Sequence, residues 1–163
     1  MNSPAATPSP TDRQRLALLI EAEAIQLGEF VDVLAREETL LIAGDIDALV
    51  ALAQDKSERY RRLQRLSDDR SLLLGRYGQQ VSERTVRDWL DGLPRVLARW
   101  DEVLGLARRA HERNALNGKL ITERMASNQA ALSILLSAAE QPPLYDAGGH
   151  TRPIGGGRML GSA

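Results

Sequence analysis

The sequence predicts an all-α protein, an elongated antiparallel bundle of three long helices with a short connecting helix and disordered tails at both ends. Apolar residues recur about every 3.5 positions along three long stretches, which is the period of a helix that packs on other helices. Aromatic residues make up only 4% of the chain although 43% of it is hydrophobic, so the core must be built from Leu, Ala, Val and Ile. Glycine and proline stand between the stretches and mark the turns.

The first long helix is predicted over Asp12–Ala43. Residues 1–10 hold three prolines among small residues and cannot bury enough apolar surface to become ordered, so they are expected to form a disordered lead. Thr11 and Gln14 have the spacing of a capping box, which predicts the helix start. The core-facing stripe of this helix is Leu16, Ile20, Leu27, Phe30 or Val31, Leu34 and Leu41.

A short turn is expected to lead into a second helix over Ile46–Leu74. Gly44 suits the left-handed residue that ends a helix, and Asp45 suits the N-cap of the next one. A connection this short predicts an antiparallel hairpin. A short amphipathic helix is expected over Ser82–Leu90. The stripe of the second helix is Ile46, Leu49, Leu52, Lys56, Tyr60, Leu63, Leu66 and Leu73.

The third long helix is predicted from Leu93 to Gln141. Pro94 suits the first helical turn, where a missing N–H costs nothing, and Pro142-Pro143 ends the helix. Ten of the fourteen positions of its stripe are apolar. The stripe is Leu93, Leu97, Trp100, Leu104, Ala107, His111, Asn114, Gly118, Ile121, Met125, Asn128, Leu132, Leu135 and Ala139.

One helical domain over residues 11–141 is therefore expected, between the lead at 1–10 and a flexible glycine-rich tail at 142–163. The chain has no cysteine and no apolar run of the ~18 residues that span a bilayer. Its first ten residues lack the basic and apolar regions of a secretory signal. A cytoplasmic protein without stable membrane insertion is the expectation.

Catalytic, metal and cofactor sites are not expected. His111 and His150 are the only histidines, and neither has carboxylates at metal-ligand spacing. The glycine run near the C-terminus does not follow a strand, as a phosphate-binding loop would. Basic residues at 61, 62 and 65 form a ridge, but acidic neighbours flank it and the net charge is −1. The ridge is interpreted as a solvated face, so nucleic-acid binding is not expected.

The polar positions His111, Asn114, Gly118 and Asn128 of the third stripe have two interpretations. Buried polar side chains in a coiled coil can set its register, at a cost in stability. Alternatively, the C-terminal half of the helix is not covered by its own chain, since the other two helices are shorter. Its exposed apolar residues would then form a wall that another protein's helix contacts.

Three segments carry a resemblance to a known family: Asn114-Ala-Leu-Asn117-Gly118 with Ile121, Asn128-Gln129-Ala-Ala131-Leu132 with Leu135, and Leu144-Tyr145-Asp-Ala-Gly148. The sequence resembles the FlgN family, flagellar type III export chaperones. The resemblance implies a cytoplasmic helical protein that binds hook-associated subunits, keeps them soluble and unpolymerised, and delivers them to the export gate. The residues predicted to bind this cargo are Asn114, Asn117, Ile121, Met125, Asn128, Leu132 and Leu135.

Tyr145 is a lone aromatic beyond the proline stop, again with two interpretations. It can pack on the end of the third helix, or it can anchor a docking peptide, and the resemblance implies the export gate as the partner. An exposed apolar face also predicts weak self-association when no cargo is bound. The alternative function is a regulatory or structural helical bundle that associates with itself through the same face.

Overall fold

The structure is a computed structural model that describes residues 7–139. Helices account for 88% of these residues, and none of them lies in a strand. The all-α prediction is confirmed, while the elongated antiparallel bundle of three long helices stays a prediction. The chain divides into two units, 1–122 and 123–163. The helices are α1 (Pro10–Ala43), α2 (Ile46–Gly75), α3 (Glu83–Trp89) and α4 (Pro94–Ala139).

Helix α1 begins two residues before the predicted start, and the capping box at Thr11 and Gln14 is wrong. Ser9 is the N-cap, and its hydroxyl accepts a hydrogen bond from the backbone N–H of Asp12 at 3.1 Å. Pro10 follows as the first helical residue, where its fixed φ suits the helix. Ser9 followed by Pro10 therefore marks the start of α1 better than Thr11 does. Residues 1–6 of the predicted lead lie outside the described residues.

The hairpin of α1 and α2 forms as the turn residues predicted. Gly44 adopts the left-handed conformation at φ 74°, and the Asp45 carboxylate accepts the N–H of Ala48 at 3.0 Å. Two ion pairs show that the helices run antiparallel. Glu23 pairs with Arg70 at 3.0 Å, and Glu37 pairs with Lys56 at 2.8 Å. The later residue of α1 thus pairs with the earlier residue of α2.

Helices α3 and α4 each begin one residue after the predicted start. The Ser82 hydroxyl caps α3 by accepting the N–H of Thr85 at 3.2 Å, so Ser82 precedes the helix rather than opening it. Pro94 is the first residue of α4, one residue after the predicted start at Leu93 and within the predicted first turn. Helix α4 is described to Ala139, so the predicted stop at Pro142-Pro143 lies outside the described residues.

The main core joins side chains from all four helices. A second, smaller cluster consists of Phe30, Leu34 and Ala110, with Val31 and Leu63 packed against it. This second cluster lies between α1 and the middle of α4. Buried residues of the main core are Leu16, Ile20, Ala24, Leu73, Leu74, Val86, Trp89, Leu90, Trp100 and Val103.

One carboxylate is buried beside the main core. Glu23 is 3% exposed, and both its oxygens accept hydrogen bonds from the Arg70 Nε, at 3.0 and 3.2 Å. The Arg70 guanidinium lies over the Trp100 ring, 4.9 Å from its centroid. Burial raises the pKa of Glu23 above its ordinary value, although Arg70 opposes this. Because Glu23 and Arg70 pair with each other, the charge buried between α1, α2 and α4 has a partner.

The predicted stripe of α4 is wrong by one residue beyond Leu104, which is half-buried and packs against the main core. Helix α4 buries Leu106, Ala110 and Asn117 rather than the residues that follow each of them, and it also buries Val103. Each of these buried positions and the position that follows it fit a 3.5-residue period about equally well, so the period alone does not say which one is buried. Packing against α1 decided which was buried. The predicted stripe residues Ala107, His111, Asn114 and Gly118 are consequently exposed.

Helix α2 is less covered than its stripe predicted. Its fully buried residues are Leu52, Leu73 and Leu74, whereas Ile46 and Tyr60 are more than half exposed. The stripe of α2 is wider than the line along which α1 contacts it. The remaining part of the stripe therefore faces solvent.

Candidate binding surface

A groove of about 890 Å³ lies between α2 and α4 above α1, and we call it the α2–α4 groove. Helix α1 contributes apolar residues, and the side chains from the other two helices are mostly small or polar. The groove exists because α2 and α4 both pack on α1 but leave their facing stripes apart. It is lined by Leu27, Phe30, Lys56, Ser57, Tyr60, Arg61, Leu63, Gln64, Ser67, Asp68, Ala107, Ala110, His111 and Asn114.

The C-terminal part of α4 is exposed on every side from residue 121 to residue 139. Residues 125–139 include no charged residue. The predicted cargo residues Ile121, Met125, Leu132 and Leu135 are 39%, 67%, 56% and 66% exposed, and Asn128 is exposed as well. The spacing of Met125, Asn128, Leu132 and Leu135 places these four on one face of the helix. We call these four residues, all of the second unit, the distal face.

Two apolar residues in the same stretch were missed by the sequence analysis. Ile134 and Leu136 are 69% and 56% exposed. They fall between the positions of a 3.5-residue stripe, so a search for one stripe passes over them. The absence of charge over residues 125–139 is the signal that could have found them, because a helix that is apolar around most of its circumference is normally covered.

The structure separates two asparagines that the sequence analysis grouped together. Asn114 is exposed and lines the α2–α4 groove. Asn117 is 1% exposed, and its amide nitrogen donates to the Leu34 carbonyl at 2.9 Å and to the Glu37 carboxylate at 2.7 Å. Because its side chain is buried, Asn117 cannot make the predicted contact with cargo in this structure. Asn117 connects α4 to α1.

The Asn117 contact continues into a polar network across all three long helices. The Glu37 carboxylate also accepts hydrogen bonds from the Lys56 ammonium at 2.8 and 3.0 Å. Asn117, Glu37 and Lys56 thus link α4, α1 and α2 at one end of the groove. Arg113 adds an ion pair with Glu38 at 2.7 Å. These contacts hold the α4 wall of the groove in place.

The described residues offer no arrangement for metal chemistry, since no group of three or more His, Cys, Asp or Glu side chains in residues 7–139 could hold a metal ion. His111 is exposed on the wall of the groove. His150 and Tyr145 lie outside the described residues. No helix within residues 7–139 is long and apolar enough to cross a membrane.

The family model described as FlgN protein matches residues 12–153, which is most of the chain. Neither a curated protein nor a solved structure matches the chain.

Proposed function

The chain belongs to the FlgN family, and since members of this family are flagellar export chaperones, we propose that it binds hook-associated subunits in the cytoplasm. It keeps these subunits soluble and unpolymerised and delivers them to the type III export gate. The proposal includes no catalytic step and no cofactor. It rests on the family for the class of partner and on the surface of α4 for the place where the partner binds.

The observation that carries the proposal is the exposed, uncharged end of α4. Soluble proteins rarely expose a continuous apolar patch unless it binds something. Met125, Leu132 and Leu135 are each more than half exposed and lie on one face of the helix. An amphipathic helix of a partner can bury such a face through contacts at helical spacing. Methionine suits a site of this kind because its flexible side chain adapts to the partner.

The experiment is a charge placed in the distal face. We expect Leu132→Asp to weaken binding of a purified hook-associated subunit by about tenfold or more, because an apolar anchor at an interface contributes on the order of 2 kcal/mol. Ala130→Asp is the matched control, since Ala130 is exposed on the opposite side of the same helix. Isothermal titration calorimetry measures both affinities, and circular dichroism measures helicity.

Two outcomes would contradict the proposal. If Leu132→Asp unfolds the protein, Leu132 belongs to an intramolecular core. If Leu132→Asp and Ala130→Asp reduce the affinity equally, the distal face is not the contact surface.

Delivery to the export gate is assigned to Tyr145, following the family resemblance. A tyrosine supplies a large apolar ring and a hydroxyl group at low entropic cost, which suits a docking peptide. We expect Tyr145→Ala to abolish gate binding and export while cargo affinity and melting temperature stay nearly unchanged. The measurements are affinity for the cytoplasmic part of the gate, affinity for cargo, and thermal unfolding. A parallel loss of cargo binding, or a clear fall in melting temperature, would place Tyr145 in the packing of the protein instead.

A further inference from the structure

We propose that the last part of α4, residues 123–139 of the second unit, exchanges between helix and coil in the free chain and becomes fully helical when cargo binds. The inference rests on the proposed function for the identity of the partner, and it adds a folding step to that function. The helix described for these residues is the state that presents the distal face.

The packing that stabilises α4 ends before this segment. Asn117 is the last buried residue of the helix, and Leu120 is the last half-buried one. All residues from 121 to 139 are exposed. Most of the stability of a helix in a protein comes from packing one of its faces against other elements. Residues 123–139 lack that contribution within the part of the chain that the structure describes.

Without packing, the segment is short for a stable helix. Isolated helices shorter than about 15 residues are marginal in water even when they are rich in alanine, and this segment is scarcely longer. Its alanines and leucines favour the helix, whereas Ser127, Asn128, Ser133 and Ser137 favour it less because their side chains compete for backbone hydrogen bonds. Residues 125–139 include no charged residue, so ion pairs four positions apart add no support there. Helix and coil are therefore close in free energy.

Two residues weaken the junction with the covered part of α4. Gly118 lies inside the helix, and it loses more conformational freedom there than alanine would. A Cβ atom added at Gly118 would meet nothing within 4 Å, so close packing does not require the glycine. The Thr122 hydroxyl donates to the Gly118 carbonyl at 3.0 Å, and a bond of this kind slightly destabilises a helix. Unfolding from the exposed end can thus reach this junction while the covered part of α4 stays helical.

The helix–coil exchange controls how often the distal face exists. Its four side chains share one side of the chain only when the backbone is helical. In the coil state the continuous apolar surface is absent, which limits association with unrelated surfaces. Cargo that binds the helical state must also provide the free energy of ordering, so the affinity is lower than for a permanently formed helix. A lower affinity favours release of the cargo at the end of delivery.

Hydrogen exchange on the free chain tests the inference without any partner. We expect the amides of residues 125–139 to exchange within about tenfold of the rate of an unstructured peptide, whereas those of residues 100–117 are slowed by at least about a hundredfold. The chain is measured at micromolar concentration to limit self-association. Equally slow exchange in the two segments would overturn the inference.

Helix propensity should also control the affinity for a purified hook-associated subunit. Ala126 and Ser133 are exposed on the side of α4 away from the distal face. We expect Ala126→Gly to weaken binding by about fourfold and Ser133→Ala to strengthen it by about twofold, because only the helical fraction binds. Ala98→Gly is the matched control, since Ala98 is an exposed alanine in the covered part of α4, and it should keep the wild-type affinity.

The outcomes distinguish the inference from the proposed function. Unchanged affinity in both Ala126→Gly and Ser133→Ala would overturn the inference, even if Leu132→Asp weakens binding as the proposed function expects. An affinity loss in Ala98→Gly equal to that in Ala126→Gly would also overturn it, because the effect would then come from overall stability. If the wild-type chain binds no hook-associated subunit, the proposed function fails, and exchange of the free chain still decides whether residues 125–139 unfold.

Discussion

Asn114 and Asn117 are three residues apart on the same helix, but their side chains have different surroundings. One points to the α2–α4 groove, and the other lies between α4 and α1 with hydrogen bonds to Leu34 and Glu37. A buried amide that loses its partners costs more free energy than an exposed one, because water cannot replace them. The two asparagines therefore allow stability and the proposed binding to be tested separately.

We predict that Asn117→Ala lowers the free energy of unfolding by about 1–3 kcal/mol, since a buried hydrogen-bonding group is removed from between two helices. Asn114→Ala should change it by less than about 0.5 kcal/mol, as is usual for an exposed position, and should weaken cargo binding. Urea unfolding of both variants measures the first quantity and calorimetry the second. A stable Asn117→Ala variant with weakened cargo binding would return Asn117 to the contact surface.

At the scale of the helices, α4 contains glycines whose flexibility serves no packing need. A Cβ atom added at Gly105 or Gly118 would meet nothing within 4 Å. Glycine inside a helix loses more conformational freedom on folding than alanine does. Gly44 differs because its φ of 74° ends α1 in a conformation that L-residues disfavour.

Gly118→Ala is therefore expected to raise the free energy of unfolding by about 0.5–1 kcal/mol, through the helix propensity of alanine alone. Gly44→Ala should lower it by about 1 kcal/mol, because a side chain in the left-handed region is strained. Thermal unfolding of the two variants, measured side by side, checks the opposite signs. If Gly118→Ala is destabilised instead, another part of the free chain must approach α4 closely at this glycine.

At the scale of the whole molecule, apolar surface is exposed in the free chain. The distal face, together with Ile134 and Leu136, leaves large apolar side chains in contact with water. Water exposure of this kind favours association with any complementary surface, including a second copy of the same chain. The same face would then serve cargo and self-association in turn.

We predict that the free protein associates weakly with itself and that cargo reverses this association. The weight-average mass from light scattering should rise with concentration, and an equimolar hook-associated subunit should suppress the rise. Leu135→Asp should remove the self-association, because it places a charge in the apolar face. A strictly monomeric wild-type chain at millimolar concentration would contradict the prediction. Self-association that cargo does not affect would instead favour the alternative, a helical module that pairs only with itself.

The local signals of the sequence predicted the helices and most of their ends. Gly44, Asp45 and Pro94 act at helix ends, where one residue's backbone preference or side-chain oxygen decides the structure. The capping box at Thr11 failed for the same local reason, because Ser9 offered an equivalent cap earlier in the chain. The exposed apolar residues of the distal face also followed from the spacing in the sequence.

What a single chain's periodicity could not determine was which side of each helix would be covered. Val103 and Leu104, or Asn117 and Gly118, fit the same 3.5-residue stripe equally well, since neighbouring positions differ by only 100° around the helix. The α2–α4 groove was likewise absent from the prediction, because it is the space left when two helices pack on a third. Sequence alone determined the helices, their ends and the uncharged apolar stretch, since these depend on residues close together in the chain. Tertiary structure decided the helical phase, the groove and the buried pairs, since these depend on contacts between residues far apart in the chain. Glu23 and Arg70 are 47 positions apart, and Asn117 and Glu37 are 80 positions apart.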